Sequence, residues 1–319
     1  MESPLVSIVC LCYNHERFVE EALESVLRQT YSNIQVIIVD DCSIDESVSR
    51  IKRIINQHPQ KIEYFFLKQN VGNCKAFNLG LKLATGYFII DFSTDDVMMP
   101  DRIEKQVKFF EEQNENVGIV FTDTVYIDEN GAPIRNHYDY LFKKKLINHV
   151  PTGHVFRDVL TTYFISSPTM MVRKKVMDTL QGYDEALSYE DFDFWVRASY
   201  DFQFAFLNEK TTKVRKSQDS MSTGWYQKGD KQLHSTFLVC LKAEKLCRDE
   251  EDRDALRWRV LYEFRQAVFS QNKAEANLFA ELLTRLDKIP LQFYFIRFAS
   301  YIPMPWAWLR TKYRQLRYD

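Results

Sequence analysis

Cysteine, glycine and proline are scarce in this chain, at six, nine and nine of 319 residues. So little glycine and proline excludes a collagen-like or low-complexity polymer, and 45% hydrophobic residues exclude disorder. The cysteines (10, 12, 42, 74, 240 and 247) include no Cys-x-x-Cys pair, and the histidines (15, 58, 137, 149, 154 and 234) show no ligand spacing. That argues against a disulfide framework or a zinc site and for free thiols in a reducing cytosol, with the histidines mostly on the surface. No run of about 18 apolar residues is free of charge, so no membrane span is expected. Met1-Glu2-Ser3-Pro4 offers no basic region ahead of an apolar stretch, so no secretory leader is expected either. No Gly-x-Gly-x-x-Gly or Walker pattern follows the first strand-like run, which removes support for dinucleotide and P-loop chemistry. Internal repeats are absent, and at about 150 residues per domain the length suggests two domains.

A strong charge of one sign is also missing, and no nucleic-acid partner is expected for a net charge of -2. The balance hides an asymmetry. Residues 1–225 carry 25 Lys and Arg against 32 Asp and Glu, whereas residues 226–319 carry 17 against 12. The two parts are expected to face different partners.

Four apolar, β-branched runs fill the first third: Val6 to Leu11, Ile34 to Val39, Ile62 to Leu67 and Phe88 to Phe92. Between them apolar residues fall at helical spacing, as in Phe18, Ala22 and Val26, then Val48, Ile51 and Ile55, then Ala76, Leu79 and Leu83. Near-continuous apolar strands alternating with amphipathic helices predict an α/β, mostly parallel sheet with flanking helices. Ligands of such sheets sit at the carboxyl ends of the strands, which selects Tyr13-Asn14, Asp40-Asp41 and Ser93-Thr94-Asp95-Asp96. Ser43 and Asp45, and later Pro100-Asp101, are placed to start helices.

After residue 115 the strand-like runs lengthen. Val117 to Ile127 ends in the hairpin signal Asp128-Glu129-Asn130-Gly131, and Thr169 to Val172 is a further strand run, so a mixed sheet edge is expected. The polar, Lys-rich stretch Tyr138 to Pro151 reads as a loop. From Lys231 the spacing is helical, through Leu233, Phe237, Cys240 and Leu241 to Leu261, Phe264 and Val268. The last stretch, Ile289 to Asp319, combines nine aromatic residues with Arg297, Arg310, Lys312, Arg314 and Arg317 against Asp319 alone. Such a segment suits a membrane interface; an aromatic helix face packed as core is the alternative.

Adjacent carboxylates at a strand end repel unless a cation, a donor-rich ligand or a basic side chain is shared between them. Taken singly, Asp40-Asp41 or Asp95-Asp96 is as readily a helix cap. Two such pairs at equivalent positions point to a hard divalent metal held by one or two carboxylates and by substrate phosphates.

The ordered set resembles inverting glycosyltransferases of family 2. It comprises Pro4-Leu5-Val6-Ser7-Ile8-Val9, Tyr13-Asn14, Leu23 to Tyr31, Val39-Asp40-Asp41-Cys42-Ser43-Ile44-Asp45, Asn70-Val71-Gly72 with Ala76 and Asn78-Leu79-Gly80, and Ser93-Thr94-Asp95-Asp96 with Pro100. It continues in Gly182-Tyr183-Asp184-Glu185 and Glu190-Asp191-Phe192-Asp193-Phe194-Trp195, so the likeness covers residues 4 to 222. The resemblance implies a GT-A fold, a nucleotide-diphospho-sugar donor, UDP-linked by preference, and Mn or Mg. It implies that Asp40 and Asp41 meet the nucleobase and ribose and that Tyr13 lines the base. Ser93-Thr94-Asp95 then fills the Asp-x-Asp slot, Asp95 is the metal ligand, and Asp96 binds or orients ribose. Asn14 and Asn70 complete the donor candidates.

Glu190-Asp191 lies where the family keeps its acceptor-activating base. Inverting transfer needs one carboxylate on the acceptor side, and Asp191 takes that role with Glu190 orienting it. Glu190, Asp193 and Arg197 share one helical face by spacing. The alternative is that these acids only favour a helix N-terminus. Three departures stand out: Leu11 where relatives often have Pro, Phe77 where a basic residue usually follows Ala76, and Ser217 where many have His. The diphosphate is then left to Lys213, Arg215 or Lys216, with a solvated charge run as the alternative.

These readings give a GT-A catalytic domain over 1–225 and a helical C-terminal region over 226–319. The expected activity is sugar transfer to a glycan or lipid-linked acceptor for cell-surface polysaccharide, in the cytoplasm at the inner face of the membrane. A nucleotidyltransferase would need an early Gly-rich basic loop, and a non-catalytic sugar-nucleotide scaffold would tolerate damage at Asp95 or Asp191. Neither feature is present.

Overall fold

The computed structural model describes residues 3–58, 62–216, 226–300 and 306. The four apolar runs become β1 (Val6–Cys12), β2 (Ile34–Asp40), β3 (Ile62–Phe66) and β4 (Phe88–Ser93), with α1 (Val19–Leu27), α2 (Ser47–Gln57) and α3 (Asn73–Leu81) between them. β1 pairs in parallel with β2 on one side and β4 on the other, and β3 adds in parallel to β2. All seven residues of β1 are buried, as a strand covered on both faces requires.

One face of β1 presents Val6, Ile8, Cys10 and Cys12 to a cluster that includes Val19, Ala22, Leu23 and Val26 of α1. On the other face α3 approaches so closely that a Cβ on Gly80 would stand 2.5 Å from a Val9 methyl. Each fully buried aliphatic side chain in these layers contributes about 1.5–3 kcal/mol. The register has a consequence for the site: Cys12 lies opposite Asp40 and Leu11 opposite Ser93, so β1, β2 and β4 end at one level.

Downstream come β5 (Val97–Met98), α4 (Arg102–Glu111), β6 (Val117–Ile127), β7 (Pro133–Asn136), α5 (His137–Lys143), α6 (Phe156–Thr161), β8 (Met171–Arg173), α7 (Lys174–Leu180), α8 (Asp191–Asp201) and β9 (Gln203–Arg215). The described strands form one sheet in the order β3-β2-β1-β4-β8-β6-β9-β5, with β7 paired to β6. The hairpin expected after Ile127 is present as β6 and β7. Antiparallel pairing is not confined to the edge, because β8 enters between β4 and β6.

Three local expectations are corrected. The stretch from Tyr138 begins inside α5, because Tyr138 and Leu141 are buried and the Tyr138 N–H donates to Asp123 Oδ1. His137 is buried rather than on the surface, between Tyr126 OH and the Phe164 carbonyl, and burial pushes its imidazole down to about 4. Ser43 does not cap α2: its hydroxyl donates to Asp40, while Asp45 accepts from the Ser47 N–H.

The described residues gather into two compact units. The first holds the chain up to Val155, Phe164–Ala186 and the stretch from Asp201 through β9; the second holds Phe156–Tyr163, Leu187–Tyr200 and the C-terminal helices. Those helices are α9 (Lys231–Leu246), α10 (Glu250–Phe269), α11 (Lys273–Arg285) and α12 (Leu291–Ser300). Within the second unit α10 is central, burying Leu256, Val260, Phe264 and Ala267, and it packs against α6, α9 and α11. Arg259 ties it to α6 through the Leu160 carbonyl and to the buried Glu263 one turn on. Side-chain contacts of this kind, absent from chain order, draw residues 156–163 and 187–200 to the C-terminal helices.

Candidate functional site

At the carboxyl edge of β1, β2 and β4 the backbone turns sharply. Asn14 and Cys42 adopt left-handed conformations (φ 57° and 66°) that non-glycine residues seldom take, and Gly72 follows at φ 87°. Side chains lock these turns together. Asn14 N–H donates to Ser43 Oγ (2.9 Å) and Asn14 Oδ1 accepts from Ile44 N–H (2.9 Å). Asp40 accepts from Ser43 N–H (3.0 Å) and Ser43 Oγ (2.5 Å). The Asp41 carboxylate spans the N–H groups of Val71 (2.7 Å) and Gly72 (2.9 Å), while Asn70 Nδ2 donates to the Asp41 carbonyl (3.3 Å). Neutral donors thus satisfy the first acidic pair and join three loops. Tyr13 stands exposed beside them.

The second pair divides its roles. Thr94 is buried, with its N–H and hydroxyl donating to the Leu11 carbonyl at 2.9 and 3.0 Å. Ser93 Oγ donates to Asp95 Oδ1 (2.5 Å), and the Asp95 side chain is partly exposed. Asp96 is turned inward and accepts from Arg215 N–H (2.9 Å). Burial first, and the adjacent Asp95 charge second, hold the Asp96 carboxyl well above the usual carboxylate range.

The Arg215 side chain, expected at the diphosphate, is committed to protein acceptors. Nε donates to the Asp95 carbonyl (2.9 Å), Nη1 to the carbonyls of Asp128 (3.1 Å) and Glu129 (3.2 Å), and Nη2 to Glu21 (2.8 Å), with the guanidinium 4.4 Å above the Phe18 ring. It braces the backbone that carries Asp95. Among the described residues no three His, Cys, Asp or Glu side chains converge on a cation position. Asp95, with one hydroxyl donor and partial exposure, fits a hard cation that takes one protein carboxylate and finds its other ligands on donor phosphates and water.

The Gly182-Tyr183-Asp184-Glu185 segment is fixed to the same half of the sheet. Asn78 Oδ1 accepts from Tyr183 N–H (2.9 Å) and Asn78 Nδ2 donates to the Tyr183 carbonyl (2.8 Å). A Cβ on Gly182 (φ 73°) would stand 2.3 Å from Asn78 Oδ1, so both the conformation and the space require glycine. Tyr183 OH donates to Asp91 (3.0 Å), and its ring stacks on Phe77 at 4.3 Å. Phe77, where the resemblance leads to the expectation of a basic residue, is therefore a packing partner here.

Glu190 and Asp191 belong to the second unit. Phe194 N–H donates to the Glu190 carbonyl (2.8 Å), and Asp191 is the first residue of α8. On the face expected from spacing, Asp193 is buried and paired with Arg197 (2.7 Å) and with Lys242 (2.5 Å). Ser217 lies outside the described residues.

Sequence reasoning passed over His15, Ser43 and Asn78. His15 Nδ1 lies 2.9 Å from Thr94 Oγ1, coupling the first loop to the Ser93–Asp96 turn. Its signal was its place directly after Tyr13-Asn14; Asn78 stood in the quoted motifs without a role, and Ser43 was expected to start a helix rather than to join Asn14 to Asp40.

The family described as Glycosyl transferase family 2 matches residues 7–180. An uncharacterized glycosyltransferase of Methanocaldococcus jannaschii is 30% identical over 67% of this chain and 72% of its own length. A Rickettsia conorii counterpart is 34% identical over 66% of this chain, which spans only 32% of that protein. Among solved structures, S. aureus TarS 1-349 in complex with UDP-GlcNAc aligns with a TM-score of 0.66 at 18% identity, covering 91% of this chain and 83% of TarS 1-349. The Pyrobaculum calidifontis mannosyltransferase PcManGT in complex with GDP-Man and Mn2+ aligns at 0.61 and 15% identity, covering 98% and 80%. These likenesses show the GT-A fold with a helical C-terminal region.

Proposed function

Because the chain belongs to glycosyl transferase family 2, we propose that this glycosyltransferase moves a sugar, with inversion, from a UDP-linked donor to a hydroxyl of a glycan or lipid-linked acceptor in cell-surface polysaccharide synthesis. The observation that carries this reading is the split between Asp95, partly exposed and braced by Arg215, and Asp96, buried and bound to a backbone N–H. Tyr13, Asn14, Asp40, Asp41 and Asn70 form the nucleoside side of the donor site with Asp96 orienting the ribose, and Ser93 and Thr94 support its diphosphate side. Asp191 accepts the proton of the acceptor hydroxyl as that oxygen bonds the anomeric carbon; the carbon's bond to the diphosphate breaks, and its electron pair leaves with the nucleoside diphosphate. Glu190 orients the base. Asp95 would hold a divalent cation, Mn or Mg, which would supply charge neutralisation for the departing diphosphate.

A panel of nucleotide sugars tested for thermal stabilisation with Mn and with EDTA checks this reading. A UDP-sugar at about 100 times its dissociation constant in Mn should add roughly 2.7 kcal/mol, and less at the same concentration in EDTA. Equal stabilisation in both would remove the cation, and no response to any nucleotide sugar would overturn donor binding.

The same proposal puts the enzyme at the inner face of the membrane through residues 289–319. No helix among the described residues is long and apolar enough to cross a membrane. α12 packs inward through Phe293, whose ring lies 5.0 Å from Phe264, while Leu291, Tyr294, Phe295 and Phe298 are exposed at helical spacing. Phe293 makes a cut after Lys288 a loss of core, so the better test leaves it in place. Phe295→Glu with Phe298→Glu should abolish cosedimentation with anionic vesicles and leave the thermal midpoint within about 2 °C, since changes to exposed side chains are usually small. Basic residues near an anionic surface each add about 1 kcal/mol, so high salt should weaken binding of the parent chain. A parent chain that ignores such vesicles at low salt would refute the membrane role.

A further inference from the structure

The candidate base lies between residues that are fixed from α9. Ser188 N–H donates to Ser235 Oγ (3.0 Å), and the two serine hydroxyls are 2.9 Å apart. Tyr189 OH is 2.6 Å from Thr236 Oγ1. The Thr236 hydroxyl donates to the Gln232 carbonyl (3.0 Å), so its oxygen accepts from Tyr189, and Tyr226 OH lies 3.1 Å from the same oxygen. On the far side of Glu190-Asp191, Lys242 Nζ meets Asp193 Oδ1 (2.5 Å), and Arg197 takes the other oxygen. Ser235 and Lys242 are seven residues apart and so share one face of α9. All of these residues lie in the second unit.

We infer that Ser235, Thr236 and Lys242 are positioning residues for the acceptor-activating carboxylate, pinning residues 188, 189 and 193 on either side of Glu190-Asp191. The inference rests on the proposal that Asp191 is the base. A base on the first residue of a helix has no neighbouring strand to hold it, and catalytic geometry tolerates errors of only about 0.5 Å. Three tethers from one helix supply that constraint without touching substrate.

The test compares Thr236→Val, which keeps the shape and removes the hydroxyl, with Thr236→Ser, which keeps the hydroxyl. Tyr189→Phe removes the other end of the same bond and keeps the ring. Turnover is read as UDP release, with water as acceptor, from UDP-glucose, UDP-galactose or UDP-N-acetylglucosamine, whichever stabilises the parent chain most; UDP affinity is read by calorimetry. Thr236→Val and Tyr189→Phe should each lower kcat about tenfold or more, the scale of a misplaced catalytic group, with UDP affinity unchanged within about twofold. Thr236→Ser should restore most of the loss.

Wild-type kcat in Thr236→Val or Tyr189→Phe would overturn the inference, as would an equal loss in Thr236→Ser or an equal fall in UDP affinity. If Thr236→Val does not fold, Tyr189→Phe decides. Asp191→Asn measured alongside separates the two levels: an impaired Asp191→Asn beside an unimpaired Tyr189→Phe refutes the positioning alone, whereas an unimpaired Asp191→Asn refutes the base itself.

Discussion

Replacing Asp191 by Asn should cut turnover by about 10² to 10⁴ and leave UDP-sugar affinity within a few fold, the span of a lost general base. The amide keeps the size of the carboxylate and cannot take the acceptor proton. Because Asp191 begins α8, the substitution also removes an acid from a helix N-terminus, worth about 0.3–1 kcal/mol. That is too small to mimic a hundredfold rate loss, since about 1.4 kcal/mol corresponds to one factor of ten. Single-turnover rates beside calorimetric affinities check both parts. Wild-type turnover would sink the assignment, and loss in Glu190→Gln with none in Asp191→Asn would move the base by one residue.

Asp95→Ala is expected to erase the whole Mn-dependent increment in UDP-sugar affinity, and Asp95→Asn nearly all of it, because an amide keeps the volume and loses the charge. Asp96→Asn supplies the contrast. Asp96 is buried, its carboxyl is held well above the usual range, and one oxygen accepts the Arg215 N–H. An amide is close to a neutral acid in shape and charge, so this variant should keep the Mn increment. Titration of each variant with a UDP-sugar in Mn and in EDTA reads the difference directly. A Mn increment that survives in Asp95→Ala, or disappears only in Asp96→Asn, would assign the cation elsewhere.

Much of the catalytic unit was legible from residue pattern. The runs at Val6, Ile34, Ile62 and Phe88 had one stable arrangement, since strands apolar on both faces must be covered on both faces. Their order places Asp40-Asp41 and Asp95-Asp96 at one edge of that sheet. Less was legible where polar composition hid a buried face: Tyr138 and Leu141 turn inward from a Lys-rich stretch and, with His137, anchor α5.

By itself, then, the sequence determined the parallel half of the sheet, the level at which the acids emerge and the family, because alternation of apolar segments and the identity of a few acids are local properties. Tertiary structure alone decided what each polar group does. Asp40 and Asp41 proved to be tied by Ser43, Val71 and Gly72, Arg215 to brace residues 95, 128 and 129, and Asn78 to require Gly182. Ser188 and Tyr189 proved to be held from Ser235 and Thr236, 47 positions away. A hydrogen bond depends on donors and acceptors meeting within about 3 Å, and which groups meet is set by the packing of distant segments rather than by residue type.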